Sequence, residues 1–397
     1  MEKLLTYFLL IMAVISIVIA LFFYVVSIQL IFGVMALLDI FVLIMIFRLH
    51  FVNDGRIKKE KKRFFNTRSR KIPPKSKSRN DEMIESNFLA KIENLNGEER
   101  DALATIAKQI GGGFPNADKI ECDSFSFSMA EGHLVGLGLY KQGLTSFPDA
   151  IGNLVSLKQL SLSDNELSSV PDIMGNLKTL ETLYLTNNAL TSIPEIFTLM
   201  TRLKVLDLSE NEFFSVPESL GNLLSLDKLD LSSNRLSSIP ETIGNLVNLR
   251  ELDLSENQLF SLPDTMGNLK SLNILVLRDN KLSFFPDVIP RMTQLQELDL
   301  DSNQLSSIPE TIGQLSDLQK LLLLNNQLSQ LPDAIGELTT LKELRLDNNA
   351  LTFLPETIVT LKSLQILDLR FNQLTTLSRT IRQWIKDLEK NGCTVLE

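Results

Sequence analysis

The chain opens with two long, nearly uninterrupted runs of apolar residues, over 4–26 and 30–47. One straight helix across both runs would be about 66 Å long at about 1.5 Å per residue, whereas the hydrocarbon core of a bilayer is about 30 Å thick. The pattern therefore predicts two transmembrane helices with a very short loop, which together form a hairpin over residues 1–48. A cleaved signal peptide is the alternative, but the apolar stretch is too long and no small-residue cleavage site ends it.

The segment that follows the hairpin is strongly basic. Between Arg48 and Arg79 there are 13 Lys and Arg residues and only two acidic ones. Positive charge beside a span keeps that end in the cytoplasm, so we expect the N-terminus and the large C-terminal body to be cytoplasmic. Residues 49–80 are interpreted as a juxtamembrane linker. The basic run over 48–79 is expected to attract anionic lipid head groups, at about 1 kcal/mol per charge, and not nucleic acid.

Asp39 lies midway along the second apolar run. An ionisable group at that depth costs roughly 2.5–3.5 kcal/mol on insertion scales, so it should face a partner or stay protonated. We interpret it as a site where hairpins associate into a homo-oligomer, or as a tolerated defect. A conduction path is the weaker alternative.

From Leu134 onward the hydrophobic pattern repeats every 23 residues as LxxLxLxxNxLxxIPxxIGxLxx, and ten of the 14 prolines share one register. The LxL core has the period of a strand whose leucines face inward. No single unit can enclose its own core, so the copies must stack. An asparagine suits the bend after each strand, because its side chain can bond to nearby backbone groups. Ten asparagines recur in this position: Asn165, Asn188, Asn211, Asn234, Asn257, Asn280, Asn303, Asn326, Asn349 and Asn372.

This unit resembles the leucine-rich repeat family. With a degenerate first copy that has Gln142 in the asparagine position, eleven repeats cover 134–377. The resemblance implies an α/β fold, a curved horseshoe solenoid with a parallel β-sheet, in which the asparagines form a ladder along the sheet. The short regular unit is similar to intracellular Ras-group and disease-resistance-type repeats. Members of that group scaffold signalling proteins, sometimes small GTPases.

The repeats are expected to be closed by a helical cap at each end. Residues 81–133 predict an N-terminal cap, with a helix from Asn96 to about Ile110 and strands over 120–127 and 133–140. Residues 378–397 predict a C-terminal cap, since Trp384 and three aliphatic residues recur at helical spacing there. Trp384 is interpreted as a lid over the last repeat; ligand stacking is the alternative.

Composition argues against catalysis. The chain contains two cysteines and two histidines, and it lacks HExxH, GxSxG, CxxC and dinucleotide-binding patterns. The Gly111–Gly113 triplet lacks the rest of a phosphate-binding loop and is interpreted as a helix stop. We therefore expect no enzyme activity, no metal and no cofactor. The formal net charge of −9 divides into +10 for residues 1–80 and −19 for residues 81–397.

Two outward-facing rows of strand residues are the candidate partner-binding surface, on the concave side of the implied horseshoe. Alternation fails at Leu322 and Leu324, which places two leucines on the wet face. An apolar centre with a charged rim is typical of a protein interface. The predicted partner-binding residues are Tyr184, Val276, Arg278, Asp299, Leu322, Leu324, Arg345 and Arg370. Neutral drift on a solvated sheet is the alternative.

A second candidate is an acidic row formed by Asp207, Asp230 and Asp253. It suggests a basic partner, although Leu-Asp-Leu-Ser is also a commonplace filling of this family's strand. Together the observations predict a membrane-anchored scaffold that recruits a protein partner on its concave face, with small GTPases as one partner class. The alternative is a surface receptor or adhesin with its repeats outside the membrane.

Overall fold

A computed structural model describes residues 88–397, which form one sheet of 13 strands whose spatial order follows the chain order. The predicted hairpin over 1–48 and linker over 49–80 lie outside the described residues. Within residues 88–397 no helix is both long enough and apolar enough to cross a membrane.

The N-terminal part of the sheet is bounded by helices. Residues 88–92 are helical, and helix α1 follows over Gly97–Ile110. The Asn96 side chain caps α1 by accepting a hydrogen bond from the Glu99 amide at 2.9 Å. The helix ends at Gly111, whose φ of 89° is readily adopted by glycine. An antiparallel pair comes next, strands β1 (Phe125–Ala130) and β2 (His133–Leu139).

The strand predicted over 120–127 therefore begins five residues later than expected. Residues 118–124 precede the strand, and Ile120 among them is fully buried although it lies outside the leucine core. The Ile120 amide instead donates to the Gln159 side chain at 3.1 Å. This segment covers the opposite side of the sheet from the core.

Ten three-residue strands follow, one per repeat, each parallel to and in register with its neighbours. They are β3 (Gln159–Ser161), β4 (Thr182–Tyr184), β5 (Val205–Asp207), β6 (Lys228–Asp230), β7 (Glu251–Asp253), β8 (Ile274–Val276), β9 (Glu297–Asp299), β10 (Lys320–Leu322), β11 (Glu343–Arg345) and β12 (Ile366–Asp368).

The return segments between strands are short 3-10 helices. The repeated proline precedes nine of them and pre-sets the extended backbone from which the turn starts. In the repeat where Pro290 replaces the usual glycine, the helix shrinks to three residues. The ten segments are Asp149–Asn153, Asp172–Asn176, Glu195–Leu199, Glu218–Asn222, Glu241–Asn245, Asp264–Asn268, Ile289–Arg291, Glu310–Gln314, Asp333–Glu337 and Glu356–Thr360.

The inward leucines and the asparagines hold neighbouring repeats together. Leu321 and Leu323, for example, are fully buried. Asn326 accepts a hydrogen bond from the Leu305 amide of the preceding repeat at 3.0 Å, and its Nδ2 donates to three backbone carbonyls. All ten asparagines make this set of bonds, so the backbone at each bend is satisfied by a neighbouring repeat.

The residue before each of these asparagines has a positive φ, between 52° and 58°, and none of them is glycine. Asn325 and Asn348 suit this left-handed backbone, whereas Phe371 does not. The tight bend thus imposes the same strained conformation in every repeat, whatever the side chain.

Helix α2 (Arg379–Lys390) closes the C-terminal end, with the Ser378 hydroxyl capping its first turn. Trp384 is 6% exposed, and its indole N–H donates to the Leu361 carbonyl at 3.3 Å. Strand β13 (Thr394–Leu396) then pairs with β12 and covers that edge of the sheet. Trp384 thus lies over the last repeat.

Candidate functional site

The side chains that point away from the leucine core form what we call the outer sheet face. Parallel pairing in register places Val276, Asp299, Leu322, Arg345 and Asp368 side by side on β8–β12. Strands lie about 4.8 Å apart, so this row is continuous. A second row lies two residues further along each strand: Arg278, Asp301, Leu324, Asp347 and Arg370.

The first two repeat strands are not available on this face, because residues 118–124 lie over them. The Ser161 hydroxyl donates to the Cys122 carbonyl at 2.6 Å and is completely buried. A side chain at Gly138 would come within 2.3 Å of the Ser124 carbonyl, so the bare glycine permits this cover. Tyr184 lies at its border, half-buried, and burial raises the pKa of its hydroxyl.

Tyr184 is therefore separated from the other predicted partner-binding residues. It belongs to β4, while Val276 belongs to β8, and four strand spacings amount to about 19 Å. The structure brings the remaining seven predicted residues together on β8–β12. We call the outward residues of these five strands, in both rows, the open patch.

Strands β5–β7, between Tyr184 and the open patch, contain the predicted acidic row. Each of its aspartates accepts hydrogen bonds from the serine two residues later. Asp230 accepts from the Ser232 amide at 3.0 Å and from its hydroxyl at 2.7 Å. Asp207 and Asp253 make the same pair of bonds. Burial raises the pKa of Asp230 to about 6, while the serine hydroxyl opposes that shift. We call Asp207, Asp230 and Asp253 with their serines the closed row.

The open patch has a different chemistry at the same positions. Leu322 and Leu324 are half-buried where the closed row has an aspartate and a serine. Val276 adds a further apolar surface on β8. Their neighbours are charged, so the patch is an apolar centre within a charged rim.

The basic side chains of that rim already have partners. The Arg345 Nε lies 2.6 Å from a Glu343 carboxylate oxygen. Arg370 makes two hydrogen bonds to Asp368, at 3.0 and 2.6 Å. The remaining two pairs are Arg278–Asp279 at 3.6 Å and Lys320–Glu297 at 3.1 Å. The arginines predicted to face a partner therefore lie in ion pairs with acidic residues of the same surface.

Three carboxylates of the open patch are not neutralised in this way. Asp299, Asp301 and Asp347 have no ion-pair partner among residues 88–397. Asp299 accepts only the Asp301 amide, at 2.9 Å, because an aspartate stands where the closed row has a serine. Asp301 in turn accepts the Leu324 amide at 2.7 Å. The Asp347 Oδ1 is buried and has no hydrogen-bond partner in the described part of the chain.

Burial accounts for the acid–base properties of these groups. It raises the pKa of Asp301 to about 7, and the adjacent Asp299 carboxylate acts in the same direction. Burial also raises the pKa of Asp347, with a further contribution from Asp368. Arg278 opposes the rise in the pKa of Asp301, and Arg370 and Arg345 oppose it for Asp347, but in both groups burial is the larger effect.

Asp301 and Asp347 were not among the predicted site residues. The signal for them was present in the second row, where serine or threonine occupies five consecutive repeats and aspartate then appears on both sides of Leu324. The hydroxyl donor is lost on all five strands β8–β12, and the two outward leucines lie on the middle one, β10. Both rows depart from the repeated pattern on β8, β10 and β11, and the second row departs from it on β9 and β12 as well, so the departures point to these five strands.

Comparison with known proteins identifies the repeats that form this sheet. Residues 142–237 and 218–306 match the model of a leucine-rich repeat region, and residues 293–351 and 339–383 match a second leucine rich repeat model. The comparison with curated proteins gave no match.

Several hundred solved chains are similar to this one, and three of them serve as examples. A leucine-rich repeat protein from Leptospira interrogans is 33% identical, with 66% of this chain and 83% of that chain covered and a TM-score of 0.46. The plant peptide hormone receptor RGFR1, in complex with RGF2, is 30% identical, with 63% and 44% covered and a TM-score of 0.51. This chain thus spans less than half of that receptor chain.

The third structure is an octameric complex of Latrophilin 3, Unc5D and FLRT2, in which FLRT2 is the leucine-rich repeat component. The matched chain of this complex is 27% identical, with 69% of this chain and 86% of that chain covered and a TM-score of 0.57. Two of the three similar structures are thus of repeat proteins in complex with a peptide or with other proteins.

Proposed function

This chain belongs to the leucine-rich repeat proteins, and we propose that it is a membrane-anchored scaffold that recruits a protein partner on the open patch. A leucine-rich repeat domain is a module for protein–protein interaction. The proposal rests on one observation above all: Leu322 and Leu324 are only partly buried on the outer sheet face, at positions where β5–β7 present an aspartate and a serine. Removing apolar surface from water lowers the free energy, so a partner that covers these two leucines would be stabilised there.

Two further observations support the choice of surface. The N-terminal end of the outer sheet face is already covered by residues 118–124, and the closed row uses its aspartates internally. The plant receptor RGFR1 and FLRT2 were both solved in complexes, which shows that repeats of this family bind peptides and proteins.

The membrane anchor in this proposal is the pair of apolar runs over 4–26 and 30–47. The 13 basic residues between Arg48 and Arg79 support a cytoplasmic body, and they supply a surface for anionic lipid head groups. The similarity of the unit to Ras-group repeats makes small GTPases one class of partner to include. Association through Asp39 would bring several repeat bodies together.

The partner-binding part is tested by a charge substitution on the patch. The full-length chain with Leu322→Lys and Leu324→Lys should lose a partner that the wild-type chain retains, by about 100-fold in affinity, because two ammonium groups would be placed against an apolar contact. The two changes point outward, so circular dichroism should show an unchanged fold. Binding is measured by quantitative affinity capture, with small GTPases included as purified candidates.

The matched control is Leu224→Lys with Val247→Lys. These two residues are 55% and 49% exposed in return segments, away from the outer sheet face. The control should bind as wild type does. Equal loss in both variants would indicate a general charge effect, and equal retention in both would reject the open patch.

A receptor with its repeats outside the membrane is the second candidate, favoured by the similarity to the plant receptor RGFR1. The two differ in topology. A reporter enzyme fused after Glu397 should be active only in the cytoplasm if the scaffold proposal holds. Activity on the outer side would reject the cytoplasmic orientation and support the receptor.

A further inference from the structure

The open patch has an imbalance of charge that its own residues do not resolve. Each basic residue on β8–β12 forms an ion pair with another acidic neighbour, so Asp299, Asp301 and Asp347 have no ion pair within 4 Å among residues 88–397. The arginines nearest to them, Arg278, Arg345 and Arg370, act on them only at longer range. Leu324 lies between two of these carboxylates in the second row, so acidic groups without an ion pair flank the apolar centre.

We infer that the partner presents an arginine or lysine side chain between Asp301 and Asp347, with apolar neighbours packed against Leu324. This inference deepens the proposed function, and it rests on the open patch being the docking surface. It specifies the chemistry of the partner: a basic residue flanked by apolar ones.

The geometry supports a cationic side chain. Asp301 and Asp347 are two strands apart, or about 10 Å, with Leu324 between them. Asp347 is only 8% exposed, and its Oδ1 has no hydrogen-bond partner among residues 88–397. A buried carboxylate oxygen without a donor is costly, and a guanidinium or ammonium group supplies both a donor and a charge.

A metal ion is the other cation that carboxylates bind. Within residues 88–397 no group of three or more His, Cys, Asp or Glu residues is arranged to hold one. Two carboxylates separated by a leucine do not converge on a single point, whereas a guanidinium with five N–H donors and a long apolar stem spans such a site. The apolar stem matches Leu324 and the charged head matches the carboxylates.

This chemistry predicts how binding depends on pH. The charged groups that face Asp301 are Asp299 on its own strand, Arg278 on the preceding repeat and Asp347 two repeats on. Burial raises the pKa of Asp301 to about 7, so the carboxylate is mostly protonated at pH 6 and mostly ionised at pH 8. An arginine stays charged throughout, and a partner that requires the ionised form should bind about tenfold more tightly at pH 8 than at pH 6.

The test uses a library of random dodecapeptides selected on the immobilised full-length chain in a mild detergent. Peptides enriched on the wild-type chain should contain an arginine or lysine next to apolar residues. Their affinity should fall at least tenfold with Asp301→Asn plus Asp347→Asn, and also when citrulline replaces the basic residue. The matched control, Asp230→Asn plus Asp253→Asn in the closed row, should leave their affinity unchanged.

The outcomes separate this inference from the proposed function. Peptides that lose binding with Leu322→Lys plus Leu324→Lys but contain no basic residue would overturn the inference and leave the docking surface standing. Basic peptides that bind equally to both aspartate double variants would overturn it as well. If no enriched peptide depends on the open patch, both the inference and the proposed docking surface are rejected.

Discussion

The closed row and the open patch share one backbone and one core but differ in how their carboxylates are satisfied. In the closed row each aspartate receives an amide and a hydroxyl hydrogen bond from the same serine, as Asp253 does from Ser255 at 2.9 and 2.6 Å. In the open patch Asp299 receives only the amide of Asp301, and Asp347 has an oxygen with no partner in the described chain.

The difference shows that an acidic row by itself says little about binding. The closed row is the more acidic of the two in sequence, yet its hydrogen bonds are complete within each repeat. The open patch includes more arginines, yet those arginines are in ion pairs, whereas three of its four aspartates, Asp299, Asp301 and Asp347, are not. A comparison of the closed row with the open patch, position by position, therefore identifies Asp299 and Asp347 as the carboxylates whose hydrogen bonds are incomplete.

The largest expected effect tests what the two regions have in common. Asn257→Ala near the closed row and Asn326→Ala near the open patch should each lower the free energy of unfolding by about 3 kcal/mol, because each removes one accepted and three donated hydrogen bonds to the backbone. Urea denaturation followed by circular dichroism measures both. A clear difference between the two would mean that the regions do not share one scaffold.

The next effect is a gain in stability that the open patch alone should show. Asp301→Asn keeps the acceptor for the Leu324 amide and removes the buried charge, so the free energy of unfolding should rise by about 1–2 kcal/mol at pH 8, after allowance for solvent screening. The folded pKa of about 7 lies above the value of 3.8 for an unperturbed aspartate. The folded state therefore binds more protons between those pH values, and the wild-type chain loses stability as pH rises through that window.

The gain in the free energy of unfolding from Asp301→Asn should accordingly be small at pH 4 and reach its full size above pH 7. Asp253→Asn is the matched change in the closed row, and it should give no gain, since that carboxylate has two donors. Urea titrations at pH 4, 6 and 8 measure both variants. A gain of equal size for Asp253→Asn would remove the distinction between the two regions.

A smaller effect tests the hydroxyl bonds of the closed row. Ser232→Ala removes one donor from Asp230 and should lower the free energy of unfolding by about 1 kcal/mol. It should also raise the pKa of Asp230 above about 6, because the hydroxyl opposes the effect of burial. Carboxyl-detected NMR titration measures the pKa. Ser238→Ala, at an exposed position of the same repeat, serves as the control. An unchanged pKa of Asp230 in Ser232→Ala would contradict the role given to the Ser232 hydroxyl.

The smallest effect concerns the strained bend that both regions share. Phe371 has a φ of 56° and is 75% exposed, so Phe371→Asn should raise the free energy of unfolding by about 0.5–1 kcal/mol. Asn325→Phe, the reverse change at the equivalent position, should lower it by a similar amount. Thermal denaturation of the two variants checks both signs, and a loss of stability for Phe371→Asn would indicate that the aromatic ring contributes packing there.

Much of the fold was predictable because a 23-residue period constrains it strongly. The strands, the return segments and the helix that begins after Asn96 all follow from residue type and spacing. The prediction of a strand over 120–127 was wrong in its first five residues, since the strand begins at Phe125 and residues 118–124 lie across the outer sheet face. The position of this segment depends on Gly136 and Gly138, which lack the side chains that would exclude it from the outer sheet face. That is a tertiary effect between segments, which local pattern does not reveal.

The candidate site was predictable in part. The break in alternation located Leu322 and Leu324, since outward leucines are unusual in a strand with one wet face. The roles of the charged residues were not, because long side chains choose among several neighbours. Arg345 pairs with Glu343 two residues earlier on the same strand, and Asp347 is left without a donor. The three-dimensional arrangement decides which carboxylates form an ion pair and which do not.

The central claim, that partners dock on the open patch, is tested most directly by photo-crosslinking. A p-benzoylphenylalanine is placed at Leu324 in one full-length protein and at Ser232, the equivalent position of the closed row, in another, and both are irradiated in the cells of origin. The account predicts a discrete adduct with one partner from position 324 and none from position 232. Adducts of equal yield from both positions, or from position 232 alone, would contradict it.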